Sequence, residues 1–236
     1  ILSIDSRVQA ALESELQDAM IMTQARGAAG IILDVQTGEV MALASLPVFD
    51  PNKIYKESMK HQNNEVTQSV FELGSTFKPL TVAAALDAGT VTDLAVRYNA
   101  MEPIKVAGFT IKDDHSQGRY LNVPETLVHS SNIVTARIAD NLGQEAMESM
   151  FRRLGFDERP HIELVEKGHP IWPRSWGRVT NMTVAYGHGI AVTPLHLASA
   201  YAALVNGGIW RPATLLKVDP GKEAKGRRVF KAATSA

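Results

Sequence analysis

Apolar and polar positions along this chain repeat with periods that change from segment to segment. Val8, Leu12, Leu16, Ala19 and Thr23 recur at steps of three and four, so Asp5 to Arg26 reads as an amphipathic helix, with Asp5 as N-cap and Gly27 as its stop. Ala28 to Val35 has the composition of a buried strand, Gln36-Thr37-Gly38 of a turn, and Glu39 to Ser45 of a returning strand, which together predict a hairpin. Leu46 to Asn64 carries two prolines and many polar groups and reads as loop. From Ser75 or Thr76 to Ala88 the pattern turns apolar almost all round. A helix of that kind belongs in a core. Pro79 falls in or beside its first turn and Gly89 closes it.

Farther along, Thr90 to Asn122 mixes short strands and loops, with alternation at Ile104, Val106, Phe109 and Ile111. Pro124 opens a short helix, Glu125 to His129. Ser130-Ser131-Asn132 interrupts it, and helices follow over Ile133–Leu142 and Gln144–Arg153, closed by Gly143 and Gly155. Phe156 to Arg178 reads as a long, partly ordered excursion. Thr193-Pro194 starts a helix that runs from Leu195 to Val205 and stops at Gly207-Gly208. Ile209 to Val218 suggests a strand and Asp219 to Arg227 a surface loop.

Composition narrows the chemistry. The 236 residues are 45% hydrophobic and 21% charged, with a formal net charge of −1, which gives no support to nucleic-acid binding. The densest basic spot is Lys225-Gly226-Arg227-Arg228. The absence of cysteine removes disulfides, thiol catalysis and thiolate metal sites, and no metal-binding or phosphate-loop motif occurs. With no run of about 18 apolar residues, the chain as given is expected to be soluble. Both ends have the look of cut segments.

Two short motifs carry candidate chemistry. Ser75 and Lys78 are three apart, which on a helix places a hydroxyl and an amine on one face. That pair is the minimum for nucleophilic catalysis without histidine, if burial depresses the lysine pKa far enough to make it a base. The bland alternative is a serine cap followed by a solvated lysine. Ser130 and Asn132 converge on one site only if they sit on a turn between helices. The alternative there is a linker with Asn132 as N-cap.

Taken together, S-x-x-K and a later S-x-N are the first two motifs of penicillin-binding proteins and class A β-lactamases. Phe49-Asp50-Pro51-Asn52, the run from Val66 to Pro79, His129-Ser130-Ser131-Asn132 and Ala185-Tyr186-Gly187-His188-Gly189-Ile190-Ala191-Val192-Thr193-Pro194-Leu195 resemble the transpeptidase domain of class B penicillin-binding proteins, most closely the septal type. The resemblance covers residues 1–236. It implies one incomplete α/β domain of the penicillin-binding/β-lactamase-like fold: an antiparallel sheet flanked by helices, plus a helical lobe. The C-terminal strands, membrane anchor and pedestal domain would lie outside the chain.

The resemblance also implies roles. Ser75 would be the acylated nucleophile, attacking the D-Ala-D-Ala carbonyl of a peptidoglycan stem peptide or the β-lactam carbonyl that mimics it. Lys78 would take its proton, and Ser130 would relay a proton to the leaving nitrogen. Asn132 would bind the substrate amide and help hold Lys78, and the Ser75 N–H would form half of an oxyanion hole. Gly187, His188 and Gly189 would lie near the cleft, His188 being weighed as an acid/base but read as part of a plain turn. No cofactor or metal is implied. Expected partners are stem peptides, β-lactams and divisome membrane proteins, at the periplasmic face of the cytoplasmic membrane. The third family motif, K-[ST]-G, is absent: Lys167-Gly168 and Lys225-Gly226 lack the hydroxyl residue between. The chain as written is therefore expected to be inert or nearly so. The rivals are a serine β-lactamase (Glu166 lying a tempting distance after Ser130), a D,D-carboxypeptidase, and a non-catalytic β-lactam sensor or scaffold.

Overall fold

The computed structural model describes residues 1–48, 50, 52 and 63–236; Phe49 and Pro51 of the Phe49–Asn52 stretch lie outside them. The chain opens with helix α1 (Ser6–Thr23), whose N-cap Asp5 accepts from the Arg7 N–H. The helix stops short of Gly27 because Gln24 already turns left-handed, at φ 55°. Strands β1 (Ala28–Leu33) and β2 (Val40–Leu46) then form the expected antiparallel hairpin. Its turn needs Gly38, at φ 79°, because a Cβ there would meet the Pro212 carbonyl oxygen at 2.4 Å. The burial expected of β1 falls on β2 instead. Alternate residues of β2 are buried, whereas β1 is half-buried throughout and Ile32 is exposed. Helix α1 packs on this pair.

A 3-10 turn (Gly74–Phe77) runs directly into α2 (Lys78–Ala88). This is the core helix that the sequence predicts. Leu80, Thr81, Val82, Ala83, Ala84 and Ala85 are buried on all sides, and Gly89 closes it at φ 74°. Strands β3 (Tyr98–Asn99), β4 (Ile104–Val106), β5 (Phe109–Ile111) and β6 (Tyr120–Leu121) pair as β3–β6 and β4–β5. Helices α3 (Val123–Val128), α4 (Asn132–Leu142) and α5 (Gln144–Arg153) follow. The excursion after Gly155 ends in a helix that the sequence reading missed, α6 (Arg178–Val184). It mixes polar, β-branched and apolar residues without a helical period, and its stability comes from packing on α4.

Helix α7 (Pro194–Val205) begins as predicted, with Thr193 as N-cap and Pro194 in the first turn. The expected strand 209–218 shrinks to β7 (Ile209–Trp210), and the loop expected at 219–227 supplies its partner, β8 (Arg227–Arg228). The Arg227 guanidinium stacks 4.1 Å above the Trp210 ring. A last turn, α8 (Ala232–Ser235), packs on α2 and α7. The strands described above pair antiparallel in twos.

The main core is centred on three phenylalanines. Phe77, Phe151 and Phe156 are fully buried, with ring centroids 5.4–5.6 Å apart. Phe77 lies between Ser75 and Lys78 in the chain, so the core itself fixes the segment that carries both.

Candidate active site

Ser75 sits in the 3-10 turn and Lys78 is the first residue of α2, so the pair does not share an α-helical face as the spacing suggests. The tighter turn helps, because residues i and i+3 eclipse in a 3-10 helix. Lys78 Nζ lies 2.9 Å from Ser75 Oγ. Lys78 is only 1% exposed. Burial pushes its pKa down from 10.5 to about 8, against the opposing charges of Asp113 and Asp114. The capping-serine and solvated-lysine alternative thus fails at its second half.

Ser130 completes a triangle. Its Oγ lies 2.8 Å from Lys78 Nζ and 2.9 Å from Ser75 Oγ, and its carbonyl accepts from Lys78 Nζ at 2.6 Å. The local sequence explains how it gets there. Asn122 and Glu125 form a capping box that sets α3. The chain then turns left-handed at Ser130, φ 52°, which is unusual for a residue with a Cβ. Ser131, not Asn132, is the N-cap of α4, accepting from the Val134 N–H. Asn132 begins that helix and donates from Nδ2 to the Lys112 carbonyl at 3.2 Å. The Lys78 amine bonds Ser75 and Ser130, while the Asn132 amide turns to Lys112.

The 187–189 turn is joined to the segment that carries Ser75. Gly187 lies backbone-to-backbone on Gly74, and a Cβ on it would meet the Gly74 carbonyl oxygen at 2.2 Å. Glu72, to which the sequence reading gave no role, accepts from the Gly189 N–H at 3.0 Å and pairs with His188 Nδ1 at 3.0 Å. His188 is thus a brace partner of Glu72, consistent with a turn. Thr81 Oγ1 donates to the Ala185 carbonyl, and the Tyr201 hydroxyl donates to that of Thr76. Asp113 was missed as well. It accepts from Ser131 Oγ and from the Ile133 N–H. Neither carboxylate had a local signal, since each acts across a long stretch of chain.

The largest cavity described, about 430 Å³, is lined by Thr37, His161, Lys167 and Thr214 and holds none of these groups. The triangle lies open at the surface edge of the core. Glu166 is exposed, and its neighbours Glu163 and Lys167 bond Thr214, Leu215 and Ile162. Among the described residues, no cluster of His, Asp and Glu is arranged to hold a metal ion.

Residues 28–236 match the family described as the penicillin-binding protein transpeptidase domain. A probable peptidoglycan D,D-transpeptidase FtsI of Caulobacter vibrioides is 43% identical over 235 residues, covering 100% of this chain and 40% of that protein. The peptidoglycan D,D-transpeptidase FtsI of Escherichia coli K12 is 35% identical, covering 97% of this chain and 38% of that protein. This chain therefore spans about 40% of the length of these relatives. Among solved structures, the transpeptidase domain of Burkholderia pseudomallei penicillin-binding protein 3 superposes with a TM-score of 0.87 at 32% identity, covering 99% of this chain and 66% of that one. A structure described as a peptidoglycan glycosyltransferase from Burkholderia ambifaria superposes with a TM-score of 0.89 at 31% identity, covering 100% and 71%. The α/β architecture is that of these neighbours, and the chain belongs to the transpeptidase-domain family of the class B penicillin-binding proteins.

Proposed function

We propose that this chain carries the nucleophile and proton-transfer groups of a peptidoglycan D,D-transpeptidase of septal wall synthesis, working through an acyl-enzyme on Ser75. The observation that carries the reading is the triangle of Ser75 Oγ, Lys78 Nζ and Ser130 Oγ, with sides of 2.8–2.9 Å. A neutral Lys78 accepts the Ser75 proton as Oγ attacks the penultimate D-Ala carbonyl. The negative charge grows on the carbonyl oxygen. It is met by the Ser75 N–H, one of the first-turn groups that lack an intrahelical partner. As the tetrahedral centre collapses, the C–N bond breaks and Ser130 hands a proton to the leaving amine, refilling from Lys78. An acceptor amine from a second stem peptide then reverses the sequence. A β-lactam follows the same first half and leaves Ser75 esterified. Asn132 lies on the turn beside Ser130, where its side chain would meet the substrate amide, and the Gly187–Gly189 turn would lie near the cleft while bracing the Gly74–Ser75 segment.

The family match and the named relatives support the same reading. With it go a periplasmic site of action, a membrane anchor elsewhere in the full-length protein, and divisome partners. The test is covalent labelling of the full-length protein by a fluorescent penicillin. Wild type is expected to form one stable adduct per chain and Ser75→Ala none. An equal adduct in Ser75→Ala would refute the assignment of the nucleophile. Release of the label within seconds would turn the reading toward a β-lactamase.

A further inference from the structure

Resting on the acyl-transfer reading of Ser75, we propose that Asp113 is a positioning residue for this chemistry: its carboxylate clasps the Ser130-Ser131-Asn132 turn and keeps both Ser130 oxygens on Lys78. Asp113 comes two residues after the end of β5. Its Oδ2 accepts from Ser131 Oγ at 2.8 Å and its Oδ1 from the Ile133 N–H at 2.9 Å. One residue before it, the Lys112 carbonyl accepts from Asn132 Nδ2. Successive residues 131, 132 and 133 are thus all tied to the dipeptide Lys112-Asp113.

The tie has work to do because Ser130 is held at φ 52°, a left-handed conformation that costs a residue with a Cβ about 1–2 kcal/mol. In this conformation the Ser130 carbonyl and hydroxyl both meet the Lys78 amine, and a change of φ at Ser130 would move the carbonyl relative to the residues before it. The carboxylate also sits at the N-terminus of α4, where a negative charge complements the helix dipole. A second effect follows from the same placement. Lys78 is faced by the neutral Ser75 and Ser130. Of the charged groups, the carboxylates of Asp113 and Asp114 oppose its desolvation. Asp113 therefore joins turn geometry to the proton affinity of the base, whereas Asp114 contributes charge alone.

The experiment is the pH profile of the second-order rate of penicillin acylation, measured on the full-length protein as wild type, Asp113→Asn and Asp113→Glu. Asp113→Asn keeps the shape but loses the charge and the charge-assisted acceptors. The plateau rate should fall about three- to tenfold, and the acid limb should move about one unit lower, because Lys78 loses an opposing charge. Asp113→Glu keeps the charge and should leave the limb at its wild-type position while the plateau falls. A parallel loss at every pH in Asp113→Asn, with the limb unmoved, would overturn the proposal, as would a wild-type plateau. Should Asp113→Asn fail to fold, a moved limb in Asp113→Glu would overturn it equally. A wild type that is never acylated would count against the acyl-transfer reading itself, an outcome distinct from these.

Discussion

At the scale of single residues, the proposed chemistry turns on the charge of Lys78. The amine must be neutral to take a proton, and its pKa of about 8 leaves it mostly protonated at pH 7. Below that value the neutral fraction falls tenfold per pH unit. The acylation rate of wild type is expected to rise with pH along a limb whose midpoint lies near 8, then level off. A flat profile from pH 6 to 9 would exclude Lys78 as the base. Ser75, Lys78 and Ser130 were legible in the sequence because the family motif fixes them by type and spacing. Glu72 and Asp113 were not, because what defines them is a partner far along the chain: Gly189 for Glu72, and Ser131 and Ile133 for Asp113. The orientation of the Asn132 side chain was illegible for the same reason. Sequence places it on the right turn but is silent on which way its amide points, and the Lys112 carbonyl decides that.

At the scale of elements, α2 was the most legible because its all-round apolar pattern admits only a core position. The cost of disturbing it is correspondingly high. Phe77 is fully buried against Phe151 and Phe156, so Phe77→Ala should destabilise the fold by about 3–5 kcal/mol. Urea unfolding should show this as a lowered midpoint with an unchanged slope. A loss under about 1 kcal/mol would mean that the core does not anchor the segment that carries Ser75. The short elements were the illegible ones. β8 consists of two arginines, which have no strand signature. They pair with β7 because Arg227 stacks on Trp210 and bonds the Arg153 carbonyl through Nε. Helix α6 likewise owes its form to tertiary packing, with Asn181 Nδ2 donating to the buried Ala139 carbonyl. β1 read as buried because its composition is that of a buried strand, but composition does not say which faces are covered.

At the scale of the molecule, distant segments are stitched through polar groups inside the fold, and one stitch is pH-sensitive. His196, 4% exposed, has its pKa depressed by burial from 6.5 to about 4. Nε2 bonds the Glu158 carbonyl, and Nδ1 faces the Thr193 N–H and hydroxyl. A proton on Nδ1 would confront the Thr193 N–H. The unfolded chain takes up this proton near pH 6.5 and the fold resists until about pH 4. Stability should therefore decline as pH falls through that window, by up to about 3 kcal/mol. The acid-side drop in thermal midpoint should be smaller in His196→Gln than in wild type; identical slopes would assign the loss to other groups. No helix among the described residues is long and apolar enough to cross a membrane.

Three supports of the segment around Ser75 come from far along the chain. Thr81 meets Ala185 across 104 residues, Glu72 meets Gly189 across 117, and Tyr201 meets Thr76 across 125. Contacts of such span form late, because the long loop must close before any of them gains a partner. During synthesis, then, Ser75 leaves the ribosome more than a hundred residues before the chain that shapes its turn. Until Tyr201 has emerged, the turn that carries Ser75 lacks one of its supports, so the proposed acyl transfer waits on chain made more than a hundred residues later.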